Sequence, residues 1–202
     1  MSIFPIMFDP DRWVRVPVDW THEQWPDAAA WADWVADELT RDRESAAEWA
    51  PLIREEAVGI AGFPSDHVSA RFWHFPIDGA PSGWVDVFTQ LRRSDGTDAA
   101  GLLPDIGPTL IEPAVLEFEE TAFESAVRRL SLLPLGSDML GPDQAGMLAK
   151  GEWSAVAGDW AVYLVSIDAD PRRLTNRLGD IDQLLAGIEP SALMSLPEAS
   201  AR

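Results

Sequence analysis

An α+β fold is predicted by three observations: an antiparallel β-sheet of about six strands built from hairpins, with two N-terminal helices and one C-terminal amphipathic helix packed on it. First, Trp153–Ala157 and Trp160–Ile167 are β-rich runs on either side of Gly158-Asp159, the pattern of a tight hairpin with glycine leading the turn. Second, Asp170 and Pro171 supply an N-cap and a proline at the first helical position. Leu174, Leu178, Ile181, Leu185 and Ile188 then recur at helical spacing. Third, two earlier helical stripes precede a series of strand-like runs, and hairpin connections make their pairing antiparallel. The 202 residues are 47% hydrophobic and 24% charged, enough apolar material for the core of one domain over residues 1–202.

Residues 1–11 read as an extended segment. Arg12–Trp20 follows as a short strand, placed at a sheet edge by Pro17. Thr21 or Asp27 then caps a helix with Trp31, Trp34, Val35 and Leu39 on its apolar stripe and Asp33, Asp37 and Arg41 opposite. Trp49, Leu52, Ile53, Ala57 and Ile60 form a second stripe. Pro51 inside it either opens a new helix or kinks a long one. Gly59, Gly62 and Pro64 close the helical region. Val68–Phe75 and Trp84–Leu91 make a hairpin around the eight-residue loop 76–83, and residues 94–113, rich in glycine and proline, read as a surface loop. Val115–Glu120 is a strand. Residues 123–133 suit a helix through Phe123, Val127 and Leu130, or a strand over 127–133, with the strand preferred. A second loop spans 134–146, and the tail 189–202 is expected to be loosely held.

This order of elements, most plainly over residues 151–188, resembles the Mog1/PsbP-like group of α/β/α sandwiches, where a final hairpin runs into a C-terminal helix. The resemblance lies in element order and is carried by no residue motif. Members of that group are mostly non-catalytic, so it implies an accessory or binding protein.

Against 34 acidic side chains stand 15 basic ones, a formal charge of −19 with pI ≈ 4.3. The excess is spread along the chain and not gathered in a tail. Such a surface repels phosphate backbones, which removes nucleic acid from the expected partners. It fits a protein partner with a basic face, steered from a distance, and fits better a solubility trait or a salty cytoplasm. The second account draws on the single lysine, Lys150, beside 14 arginines. With no cysteine, disulfides, thiolate metal sites and cysteine nucleophiles are excluded. No run approaches the ~20 apolar residues that span a bilayer, and Met1–Phe8 is too short for a signal segment. A cytoplasmic protein without membrane contact is the expectation.

Nucleotide-binding and hydrolase fingerprints are missing from the sequence, and no cofactor is expected. Asp168-Ala-Asp170 opens like a calcium loop but runs into Pro171-Arg-Arg, so a helix cap explains it better. His67 and His74 would point to opposite faces of one strand, and neither they nor His22 has a recognisable catalytic partner. Glu117 and Glu119 would share a strand face about 7 Å apart, a spacing open to glycoside hydrolysis or to a solvated face pairing with Arg128 or Arg129. Arg172, Arg173 and Arg177 open the last helix, where the dipole disfavours cations. Salt bridges to Asp168, Asp170, Asp180 and Asp182 are expected to compensate.

Ten tryptophans are the outstanding feature of the composition, six of them before residue 50. Trp84, Asp86 and Phe88 alternate onto one strand face, a mixture of flat apolar and polar groups suited to an interface or a pocket. The expected partner or ligand surface is therefore Trp73, Trp84, Asp86, Phe88 and Trp160. The leading reading is a non-catalytic accessory protein, chaperone-like or of inhibitor or immunity type, that recognises a protein partner. A small-molecule domain with a pocket lined by Trp73, Trp84 and Trp160 is the alternative, and a hydrolase using Glu117 and Glu119 a third. Homo-oligomerisation through an aromatic sheet face is compatible with each.

Overall fold

A computed structural model of the chain describes residues 6–77, 81–92, 96–135 and 146–193. Among these residues seven strands form one sheet: β1 (Trp13–Val16), β2 (Ala70–His74), β3 (Trp84–Leu91), β4 (Ala114–Glu117), β5 (Ser125–Leu135), β6 (Gly146–Ala157) and β7 (Trp160–Asp168). Their order is β1-β2-β3-β7-β6-β5-β4 and every neighbouring pair is antiparallel. The helices are α1 (Ala28–Thr40), α2 (Ala46–Ala61), α3 (Pro171–Ala186) and the short α4 (Pro190–Leu193). The fold is α+β as predicted, with seven strands in place of about six.

Because side chains alternate across a strand, the register divides the sheet into two faces. One face carries Phe72, Val85, Val87, Trp153, Ala155, Val162 and Leu164, and it buries Ile181, Leu184 and Leu185 of α3. The other carries Val16, Trp73 and Phe75 at the β1–β2 end, under Trp31, Val35, Ile53, Ala57 and Ile60 of the α1–α2 hairpin. Further along that second face, Val127 and Val156 pack with Ala99 from the connection between β3 and β4, backed by Leu102 and Leu103. The long β3–β4 segment thus serves as a strap over β5 and β6. The strip of β3 and β7 between helices and strap has no covering element among the described residues.

Several local expectations need correction. β1 is shorter than Arg12–Trp20, and β4 begins one residue earlier and ends at Glu117, so Glu119 lies beyond the strand. Residues 125–135 are strand throughout, because eleven residues pair with β6. β6 itself starts at Gly146, which removes the end of the expected 134–146 loop; residues 136–145 lie outside the described residues. Pro51 opens no new helix but sits within the continuous α2. Asp27, not Thr21, caps α1 by accepting from Ala30 N–H. Trp34, Trp49 and Leu52, expected on buried stripes, are exposed. The tail is held as far as it is described: Ile188 and Leu193 are buried, and Met7 N–H donates to Gly187 O at 2.8 Å. Any Cβ at Gly187 would stand 1.9 Å from the Met7 carbonyl oxygen, so only glycine lets the N-terminal segment pass there. Residues 1–5, 78–80, 93–95 and 194–202, parts of the N-terminal segment, two loops and the tail, lie outside the described residues.

Candidate functional site

The open strip of the second sheet face is built from few elements. Trp84 and Phe88 of β3 and Tyr163, Val165 and Ile167 of β7 project onto it; Phe88 pairs with Tyr163 across the strands, with ring centroids 5.9 Å apart. α2 meets it at the Phe63 end of the helix, and its other sides follow from helical spacing. Helical spacing sets Ile53, Ala57 and Ile60 toward the sheet and Ala50, Arg54 and Val58 toward α1, leaving Trp49 and Leu52 about 60° apart on the remaining flank. Phe63, just past the helix, packs on Trp84 at 5.3 Å. Phe63 and Ile167 at the strip are 51 and 47% exposed, and Trp49 and Leu52 on the outer flank of α2 are 50 and 58% exposed, all of them large apolar side chains open to solvent.

Buried charge pairs fix this strip from below. The Arg71 guanidinium, without solvent exposure, donates through Nε to Asp86 Oδ1 at 2.6 Å and through Nη2 to Oδ2 at 3.2 Å. Its remaining N–H groups reach Ile60 O, Phe63 O and Pro64 O at 2.8–2.9 Å, so all five donors are used. One arginine therefore caps the carbonyl end of α2 and fixes the turn that presents Phe63. On the same face, fully buried Glu152 accepts from Tyr163 Oη at 2.6 Å, Arg129 Nη2 at 2.8 Å and Lys150 Nζ at 2.8 Å. These donors hold its carboxyl below the ordinary range against the opposing effect of burial, which is the largest single influence. Burial, then the bond to Glu152, pushes the Tyr163 hydroxyl well up, so it stays protonated as a donor. Arg129 also donates to Pro104 O at 2.5 Å, tying the strap to the network.

The opposite face carries a second set. His74 Nδ1 is 2.6 Å from Ser82 Oγ and Nε2 is 2.8 Å from Asp180 Oδ2, a serine–histidine–aspartate chain that joins the β2–β3 loop to α3. Burial lowers the imidazole below its usual value and Asp180 works against the shift. His74 is 4% exposed with the Trp13 ring edge-on at 4.8 Å, so the chain is closed in by packing and acts as a clamp. Beside it, buried Arg177 donates to Asp168 Oδ2 at 2.7 Å and Ser166 Oγ at 3.1 Å, and also to Ser82 O. Arg128 and Trp153 Nε1 both donate to Asp182. Local salt bridges thus compensate Arg177 as expected, though Asp180 and Asp182 serve His74 and Arg128 instead.

The five residues expected to form one surface are divided. Trp73 and Trp160 are buried in cores on opposite faces, so with Trp84 they line no common pocket. Asp86 is buried as the counterion of Arg71. Trp84 and Phe88 alone contribute to the open strip. Trp73 Nε1 has no partner within hydrogen-bond geometry, while its indole N–H still opposes the burial that raises the carboxyl of Glu56, on α2. Glu117 and Glu119 are exposed, and Arg128 and Arg129 pair with Asp182 and Glu152 instead of with them. His67 lies before β2 at φ 64°, away from the strand position expected for it.

Two further concavities went unseen in the sequence. A groove of about 540 Å³ runs between α1 and α2, lined by Ala36, Ala50, Pro51 and Val58 with Asp33 and Asp37. A cleft of about 260 Å³ lies between β1 and α1, where Trp25, Trp31 and Trp34 meet Glu23, Val14 and Pro17. Among the described residues no group of three or more histidine and acidic side chains could hold a metal ion, and no helix is long and apolar enough to cross a membrane. No known protein family, no curated protein and no solved structure matches the chain.

Proposed function

We propose that this chain is a binding protein that recognises a protein partner through the notch between α2 and the open strip of β3 and β7. The observation that carries the reading is exposed Phe63 and Ile167 beside half-buried Trp84, Phe88 and Tyr163, with Trp49 and Leu52 exposed on the outer flank of α2. Large aromatic groups with a rigid, desolvated base are the composition of interface hot spots. The partner is assigned a basic rim around an apolar centre. Residues 27–61 hold nine carboxylates and three arginines, and the arginines are engaged: Arg41 with Glu38, Arg54 with Asp33, and Arg43 with Ile77 O and the Phe75 ring. A second copy of the chain is disfavoured as occupant, since it would bring another charge of −19. The Mog1/PsbP-like resemblance of the element order points the same way, toward an accessory role.

The test is capture from the source lysate by tagged protein, eluted along a salt gradient and compared with a Trp49→Ala/Leu52→Ala double variant. A stoichiometric basic protein that leaves as salt rises, and that the variant fails to retain, is the expected result. Equal capture by both proteins, or none by the parent chain, would overturn the proposal.

A further inference from the structure

We infer that the cleft between β1 and α1 is a site for an alkylammonium cation, held against the faces of Trp25, Trp31 and Trp34 and balanced by Glu23. Three indoles border one cavity of about 260 Å³, room for an ammonium headgroup and its first carbons. Trp31 is buried and forms the floor, Trp34 is 43% exposed and forms a wall, and Trp25 closes on it with ring centroids 4.7 Å apart at 46°. Trp25 and Trp34 pack against one another and border the cleft side by side above Trp31, and tryptophan is the strongest of the aromatic partners for a cation. Glu23, half-buried at the same cleft, adds a full negative charge.

Among the described residues no guanidinium stands over these three rings; those that stand over rings are Arg43 over Phe75 and Arg71 over Phe63. Arg15 borders the cleft, but it is registered opposite Phe72, whose side chain lies in the core under α3, so alternation along β1 carries the Arg15 side chain to that other face. A purely apolar ligand would leave the Glu23 charge facing hydrocarbon, and an anion would be repelled. The inference rests on the reading above only for one of the two sources of such a cation, the basic side chain of a protein partner; the other is a free quaternary ammonium.

Tryptophan fluorescence at constant ionic strength tests it, with choline, N-acetyl-lysine amide, its trimethylated form and 3,3-dimethylbutan-1-ol, the neutral carbon isostere of choline. Saturable change with the cations and none with the isostere is expected. Trp34→Ala should weaken binding about tenfold, which is about 1.4 kcal/mol, and Glu23→Gln by a smaller factor. Tighter binding of choline marks a free ligand as the source, and tighter binding of the lysine derivatives marks a side chain. Equal binding of choline and its isostere, cation binding untouched by Trp34→Ala, or no saturation with any cation would overturn the inference. The Trp49→Ala/Leu52→Ala variant should keep the cation site, so failure at one surface is separable from failure at the other.

Discussion

Arg71 shows how one side chain can set the geometry of a surface. Its five N–H groups satisfy Asp86 and three carbonyls at the end of α2, so truncation orphans a buried carboxylate and those carbonyls together. Removing one partner of such a pair costs about 3–5 kcal/mol, whereas replacing both by apolar groups of similar size costs far less. Arg71→Met should therefore lower the urea midpoint substantially, and Arg71→Met/Asp86→Leu should recover much of the loss. His74 makes a second prediction at this scale. Burial depresses its folded pKa, with Asp180 opposing and Arg177 and Arg12 assisting, while the unfolded chain titrates near the usual 6.5. Between the folded value and 6.5 the unfolded state holds a proton that the folded state lacks. The contribution is thus complete above about 6.5 and is lost as pH falls through that window. Urea midpoints measured across pH should fall more steeply for the parent chain than for His74→Gln; Glu56, shifted the other way, is common to both and cancels in the difference.

Each helix divides its apolar residues between a buried side and a flank, and the two should respond differently to truncation. Ile181 and Leu184 of α3 are buried against the sheet, so alanine there should cost about 2–5 kcal/mol, read as a lowered urea midpoint. Trp49→Ala and Leu52→Ala on the outer flank of α2 should stay within about 0.5 kcal/mol of the parent chain while abolishing partner capture. Periodicity alone could not make that division. α3 was legible because cap, proline and stripe agree, and the pairing of Arg177 with Asp168 was legible too, but its full burial on the same side was not. In α1 and α2 the period finds the helices, but Trp34, Trp49 and Leu52 fall on flanks whose exposure depends on what lies beyond them. β5 was ambiguous as a local pattern and is decided by eleven pairs with β6, a long-range fact. Ala149-Lys150-Gly151 in β6 lacks strand propensity and is held by neighbours on both sides. Of the expected surface, Trp84 and Phe88 were readable by alternation. Trp73, Asp86 and Trp160 were not, because burial depends on which element covers each face.

At the scale of the whole molecule, the charge of −19 acts on folding and on the proposed recognition with opposite signs. Like charges crowded onto one compact surface repel, and expansion on unfolding relieves that repulsion, so the charge lowers stability at low ionic strength. Attraction to a basic partner is long-ranged and strongest under the same conditions. Salt shortens the screening length from about 10 Å at 0.1 M to about 3 Å at 1 M and weakens both effects. The buried pairs Arg71–Asp86, Arg177–Asp168 and Glu152 with its three donors are shielded from that change, so the fold keeps its internal ties while surface repulsion fades. Raising salt should therefore raise the melting temperature of the isolated chain while weakening its complex, the latter mainly through a slower association rate. Calorimetry and stopped-flow association across one salt series measure the two directly. A melting temperature that rises while the association rate stays flat would separate the charge from recognition and leave it as a trait of the folded surface. Opposite trends over the same range would tie the acidic face to the partner, with the apolar notch setting the dissociation rate and the surrounding carboxylates the rate of encounter.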